Sequence, residues 1–280
     1  MQKAKTKDVI SLRDKAGMGR ENVTSADLKL PFFKICYSNA PLLDQSSPMY
    51  NPDAKLGDMY NEVTGTWYPN KTGVLVVPCH YYNTFVEWKE REQGEINRPV
   101  AVYRTAIEAG STTKEGAKDR LENGNYLEDT GNHFCYTLNE SFEIQEQVIV
   151  SFSKTNRKVS KAWWTMMNQT KISDDQGWYT PATFNTVYKL HTEQKKNEAQ
   201  NVYYNYKVEF VRALNYKSDE TTNVETEKYH DSLQETGVDN LLCYSPGQND
   251  DDEVVVPIEN TAKPKIANKK TPTDINQFKE

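Results

Sequence analysis

The chain has 280 residues, a formal net charge of −6 and 36% hydrophobic residues, enough for one large core or two small ones. No apolar run approaches the ~18 residues of a membrane span. The charged start MQKAKTKDVISLRDKAG lacks the apolar stretch of a secretion signal, so the four cysteines, Cys36, Cys79, Cys135 and Cys243, with no CxxC pair, are expected as reduced thiols in an intracellular protein. Residues 1–20 read as a flexible arm hinged at Gly17 and Gly19. Ser25 then offers a helix cap or turn before Pro31 and an apolar run. Residues 38–55, with three prolines, read as a loop. A hairpin is expected over Asp58–Val63 and Trp67–Tyr68, turning at Thr64–Gly65. The run GVLVVPCHYYNTFVEWKER is the clearest strand signal, with Pro78 marking a bulge or break. Residues 92–132 read as a polar insertion or lid with at most one short helix near Lys114–Leu121.

Strands are expected again at His133–Leu138 and Phe142–Phe152, then a helix over SKAWWTMMNQTK opened by Ser160. Residues 183–213 alternate apolar and polar in both arms of a hairpin, the pattern of a half-buried antiparallel sheet. Val202, Tyr204, Tyr206, Val208 and Phe210 form its inward row. From 215 the periodicity fades into an acidic segment to about 260 and a net basic end, a composition that does not offset the entropy of ordering. The domain reading is therefore a flexible arm (1–20), a β-rich core (21–214, with the 92–132 insertion) and a flexible tail (215–280). With the acid assigned to the tail, the core is near neutral, so local clustering of charge has to decide whether a polyanion binds.

The usual marks of chemistry are missing. There is no GxxxxGK[ST], no strand-to-helix GxGxxG, no GxSxG and no HExxH. Paired carboxylates such as Glu90/Glu92 and Asp174/Asp175 lie in turn-like polar stretches. Cys79, His80, His133 and Cys135 have the donor chemistry of a zinc site, but adjacent strand residues point to opposite faces, so they converge only with a bulge. Buried thiols and surface histidines are the plainer reading. No enzyme activity and no cofactor are expected.

The positive signal is Val148–Lys171, which carries Lys154, Arg157, Lys158, Lys161 and Lys171, includes Trp163 and Trp164, and has no carboxylate. Cations beside flat rings are what a single strand requires, since phosphates attract cations and unpaired bases stack on aromatic faces. The competing reading is a solvated basic loop and a helix that buries at least one of the two tryptophans. Alternation in the flanking strands adds Tyr203 with Lys207, and Tyr81, Phe85 and Lys89, as an outward set. Aromatics and lysines on the open face of a curved sheet suit an oligonucleotide-binding barrel.

The segments GMGRENVTSADLKLPFFKI, LGDMYNEVTG and VLVVPCHYYNTFVEW, followed by SKAWWTMMNQTK, FNTVYKL and NVYYNYKVEF, together resemble a group of tailed-phage proteins over residues 17–212. That resemblance implies a single-stranded DNA-binding protein of the oligonucleotide-binding-fold type, acting in phage replication or recombination in the cytoplasm of the infected bacterium. Acidic C-terminal tails in such proteins recruit replication or recombination partners; here the acid-rich run ends at Glu259, and the last 20 residues, with Asp274 and Glu280 among five lysines, are net basic. The expected fold is thus mainly β (α+β), an OB-fold-like antiparallel barrel with a short helix, long loops and a disordered C-terminal tail. The expected partner is single-stranded DNA, with no membrane and the oligomeric state left open. The rival reading is a virion structural or accessory protein that packs on capsid or tail subunits.

Overall fold

The computed structural model describes residues 18–19, 29–90, 99–198 and 200–243. The expectations for residues 1–17, for Ser25 and for the charged segments beyond Cys243 lie outside the described residues. In chain order the elements are β1 (Phe32–Ile35), β2 (Met59–Asn61), β3 (Trp67–Tyr68), β4 (Val74–Trp88), β5 (Pro99–Tyr103), α1 (Ala106–Ala109), β6 (Thr112–Glu115), β7 (Lys118–Leu121), β8 (Tyr126–Leu138) and β9 (Ile144–Phe152). Then follow α2 (Arg157–Gln169), β10 (Ile172–Asp174), β11 (Gly177–Tyr179), β12 (Thr186–Lys196), β13 (Val202–Ala213), α3 (Glu220–Thr236) and α4 (Asp239–Leu242).

The fold is mainly β, with a curled half-barrel sheet and few helices. Its main path runs β13-β12-β4-β8-β9-β1-β2-β3, with β5, β6 and β7 attached at the side. The strand β4 organises it. β8 accompanies it from Leu75↔Leu138 to Trp88↔Tyr126, while its other edge pairs first with β12 and then with β5. Pro78, which has no N–H to give to a ladder, sits where the register shifts between Pro78 and His80. The carbonyl of Cys79, the extra residue of this bulge, accepts from His230 Nδ1 at 2.7 Å. The expected bulge is there, and it is braced from a helix.

Alternation explains how the sheet is covered on both sides. Val77, Cys79, Phe134, Tyr136, Ile149 and Val187 join one core cluster, together with Tyr229 and Leu233 of α3 and Leu241 and Leu242 of α4. Their strand neighbours Val76, Cys135, Val148, Val150 and Tyr188 join a second, with Trp163 and Met167 of α2. Successive strand residues point to opposite faces, so α2 and the α3–α4 pair lie on opposite sides of the sheet. A third cluster, Cys36, Ala40, Leu42 and Tyr60, holds the expected loop of residues 38–55 in place beside the β2–β3 hairpin. Asp58 ties it further, accepting from Trp67 Nε1 and the backbone N–H groups of Lys55 and Asn70.

Several expectations need correction. Residues 99–132 are not a lid: β5, the β6–β7 hairpin and the first half of β8 extend the sheet there, and Lys114–Leu121 is hairpin rather than helix. Order does not stop at 214: α3 spans 17 residues and buries Thr222, Asn223, Thr226, Tyr229 and Leu233. The helix α2 begins at Arg157, so Ser160 is an interior residue, fully buried, and not its cap. The β12–β13 hairpin forms as expected, yet of its inward row only Tyr206 is buried, Val202 and Phe210 are exposed, and Asn205 of the opposite row is sealed by Thr155. The described residues contain no helix long and apolar enough to cross a membrane.

Candidate nucleic-acid interface

The basic segment crosses the sheet edge and becomes α2. Its buried stripe, Ser160, Trp163 and Met167, follows the i, i+3, i+7 spacing of one helix face. Trp163 is 1% exposed; it stacks on His133 (centroids 4.5 Å, 19° between planes) and meets Phe152 and Tyr188 edge-on. Trp163 is therefore a core residue, unavailable to a ligand. Trp164 is half-buried against Tyr81 and His133.

The helix starts in an electrostatically awkward way. No acidic residue lies in its first turn, and Asn156 does not cap it, because its side chain accepts from Tyr206 N–H instead. Cations at a helix N-terminus oppose the macrodipole. Carboxylates from β8 answer them. Arg157 Nε donates to Asp129 at 2.9 Å and Lys154 Nζ lies 3.6 Å from Glu128. Burial pushes the Glu128 carboxyl above its ordinary range, with Lys154 opposing the shift. Arg157 also donates to Asn83 Oδ1 at 2.7 Å and Ser160 Oγ at 3.3 Å. Gly131 makes room for it: a Cβ there would meet Arg157 Nη1 at 2.8 Å. Arg157 is thus a structural cation, whereas Lys154 keeps a largely exposed side chain beside Glu128.

The other expected residues scatter. Tyr81 lies under α2, its hydroxyl donating to Asn83, so it does not face outward. Phe85 is half-buried, and Glu87 on the same row is sealed beneath Tyr103, Asn123 and Asn125. Burial raises the Glu87 carboxyl, but these three hydrogen bonds outweigh it and hold the group below its usual range. Lys89 is exposed at the end of β4. Tyr203 is half-buried on β13, where Lys207 is exposed and pairs with Glu209 at 2.6 Å. Alternation placed Tyr81, Phe85 and Lys89 on one row and Tyr203 and Lys207 on another, but neither row is uniformly outward: α2 and the 121–125 turn lie over the first, and Asn205 of the second is buried.

What remains open is the outer face of α2. Lys158, Lys161, Thr165 and Asn168 are exposed along it, and among the described residues neither lysine has a carboxylate partner. The next cation, Lys171, donates to Thr180 Oγ1 across the base of the β10–β11 hairpin. That hairpin carries Trp178, 75% exposed, and Tyr179, both absent from the sequence-based candidates. The signal available was a tryptophan in a short polar stretch with no apolar alternation around it.

Two sets of side chains have the donor types that chemistry would need. His133 Nε2 lies 2.9 Å from Ser160 Oγ, the atoms of a base and a nucleophile. Both side chains are sealed, and His133 Nδ1 has no hydrogen-bond partner to orient the ring. The contact is packing. Burial, reinforced by Arg157, lowers the His133 pKa to about 3, so the ring is neutral. Cys79 and Cys135 divide between the two core clusters on opposite faces, and among the described residues no group of three or more His, Cys, Asp or Glu gathers as a ligand set. His133 is buried, not a surface histidine, and His80 is half-buried beside His230.

The protein is thus of the mainly β class, a curled mixed sheet between helices, with one cationic helix face free of carboxylates. A family model described as Pam3 phage gp34-like protein matches residues 2–217, and the chain belongs to that family of bacteriophage proteins. No curated protein and no solved structure matches the chain.

Proposed function

We propose that this phage protein binds single-stranded DNA along the outer face of α2, in replication or recombination. One observation carries the reading: Lys158 and Lys161 are presented on a helix whose flanking chain, from Gln147 to Ser173, has no carboxylate of its own. The opposite side of the sheet has the reverse character. There α3 exposes Glu220, Glu227, Asp231 and Glu235. A polyanion is accordingly attracted to one layer and repelled by the other. The likeness to an oligonucleotide-binding barrel extends to the curl of the antiparallel strands. No bond chemistry is needed for this role.

An oligo-dT titration at several salt concentrations tests it. Removing a cation that neutralises one phosphate flattens the log–log salt slope by about 0.7 on single strands. The double variant Lys158→Ala, Lys161→Ala should flatten the slope by more than one and weaken binding to all sequences alike, with its melting temperature unchanged. Arg157→Ala should instead cost stability, about 1–3 kcal/mol, because it strips buried hydrogen bonds from Asn83 and Ser160. Wild-type affinity and slope in the lysine variant would remove α2 from the binding surface. No binding by the wild-type protein at low salt would hand the case to the virion reading.

A further inference from the structure

The β10–β11 hairpin is a sheet of its own. Its strands pair only with each other, in the register Ile172↔Tyr179, Ser173↔Trp178 and Asp174↔Gly177. Cross-strand partners share a face and successive residues alternate. Trp178 and Ser173 therefore occupy one face, while Ile172, Tyr179 and Asp174 occupy the other. The Trp178 face carries no strand carboxylate. The ring itself is 75% exposed and has no aromatic neighbour among the described residues. An isolated two-stranded hairpin is marginal in water, and leaving its largest apolar side chain in solvent forgoes the burial that would steady it.

The hairpin also directly follows the cations along the chain. It follows α2 after only Thr170 and Lys171, and Thr170 N–H closes the helix onto Met166 and Met167. Lys171 clasps Thr180 on the returning strand. A helix rises about 1.5 Å per residue, so Lys158, Lys161 and Lys171 follow one another over about 20 Å, room for several nucleotides. At the end of that run stands a bare indole.

We infer that Trp178 is a base-stacking residue: its ring receives an unpaired base of the strand whose phosphates run along α2. The inference rests on the proposed single-strand binding and adds what that reading lacked, a residue that distinguishes single-stranded from duplex DNA. Cations grip either polymer, whereas a flat ring needs a base freed from its stack.

The test compares wild type, Trp178→Phe and Trp178→Ala on oligo-dT and on a duplex of the same length, each over a salt series. Trp178→Ala should weaken oligo-dT binding about 5- to 150-fold, the range for removing one ring from beneath a stacked base. It should leave the salt slope, the duplex affinity and the melting temperature unchanged, because stacking is uncharged and the ring lies outside the core. Trp178→Phe, which keeps a smaller ring, should fall between. Most oligo-dT quenching of tryptophan fluorescence should vanish with Trp178→Ala, since Trp163 is sealed and Trp67, Trp88 and Trp164 are half-buried. If Trp178→Ala binds oligo-dT like wild type while the lysine variant does not, the stacking role is wrong and α2 binding stands. An equal loss on duplex and single strand would likewise overturn the stacking role. If wild type binds neither, both readings fall together.

Discussion

His133 and His80 show how much a single residue's setting depends on what lies above and below its strand. Burial, with the Arg157 charge added, holds His133 neutral with a pKa of about 3; burial, with His230 added, lowers His80 to about 4. Unfolding returns both to about 6.5. Between that value and the folded ones the unfolded chain binds more protons, so stability is fully present above pH 6.5 and falls as pH drops through 6 and 5. Each histidine contributes a slope of up to about 1.4 kcal/mol per pH unit. Urea melts at pH 7, 6 and 5 should show a shallower decline for His80→Gln than for wild type. An identical slope would mean His80 titrates normally in the folded protein. His80 is the better probe, since replacing His133 also removes the Trp163 stack and the Ser160 hydrogen bond.

At the level of elements, the strands and the α2 helix were legible because their burial is written in hydrophobic periods. The run from Val74 to Trp88, the alternation of β12 and β13, and the Trp163/Met167 stripe are such patterns. The helix α3 was not. Its buried face is Thr222, Thr226, Tyr229 and Leu233, spaced i, i+4, i+7, i+11, a correct helical stripe made half of threonine. Thr226 hides its hydroxyl by donating to the Thr222 and Asn223 carbonyls, and Thr222 donates to Phe142 O. Polar letters thus carried an apolar role, and composition alone assigned the segment to a tail. The junction is also locked by Arg212, which pairs twice with Asp219 and lies over the Phe142 ring. Leu233→Ala decides between the two readings. In a disordered tail it would change stability by less than about 0.5 kcal/mol. Packed on Phe134 and Tyr136, it should cost about 2–5 kcal/mol in thermal or urea unfolding of the full chain. The candidate surface was partly legible for a related reason. The run of cations was visible in sequence, but which of them are spent on Asp129 and Glu128 depends on β8, far away along the chain.

For the whole molecule, the layered arrangement turns a nearly uninformative net charge of −6 into two informative surfaces. The sheet separates α2 from α3, and a helix stacked on each side puts their outer charges about 30 Å apart. The Debye length is about 8 Å at 0.15 M ionic strength and about 30 Å at 0.01 M. At physiological salt the acids of α3 are therefore screened from anything bound on α2, whereas at low salt they repel it. Neutralising them by Glu227→Gln, Asp231→Asn and Glu235→Gln should leave oligo-dT affinity at 0.15 M unchanged. At 0.01 M the same variant should associate faster than wild type, because the long-range field mainly sets encounter rates. The lysine variant of α2 should weaken binding at both salts, its contacts being direct. Stopped-flow association at the two ionic strengths separates these outcomes. If removing the α3 acids strengthens binding at 0.15 M as much as at 0.01 M, the strand runs within a Debye length of α3. The binding surface then has to be sought on that side of the sheet instead.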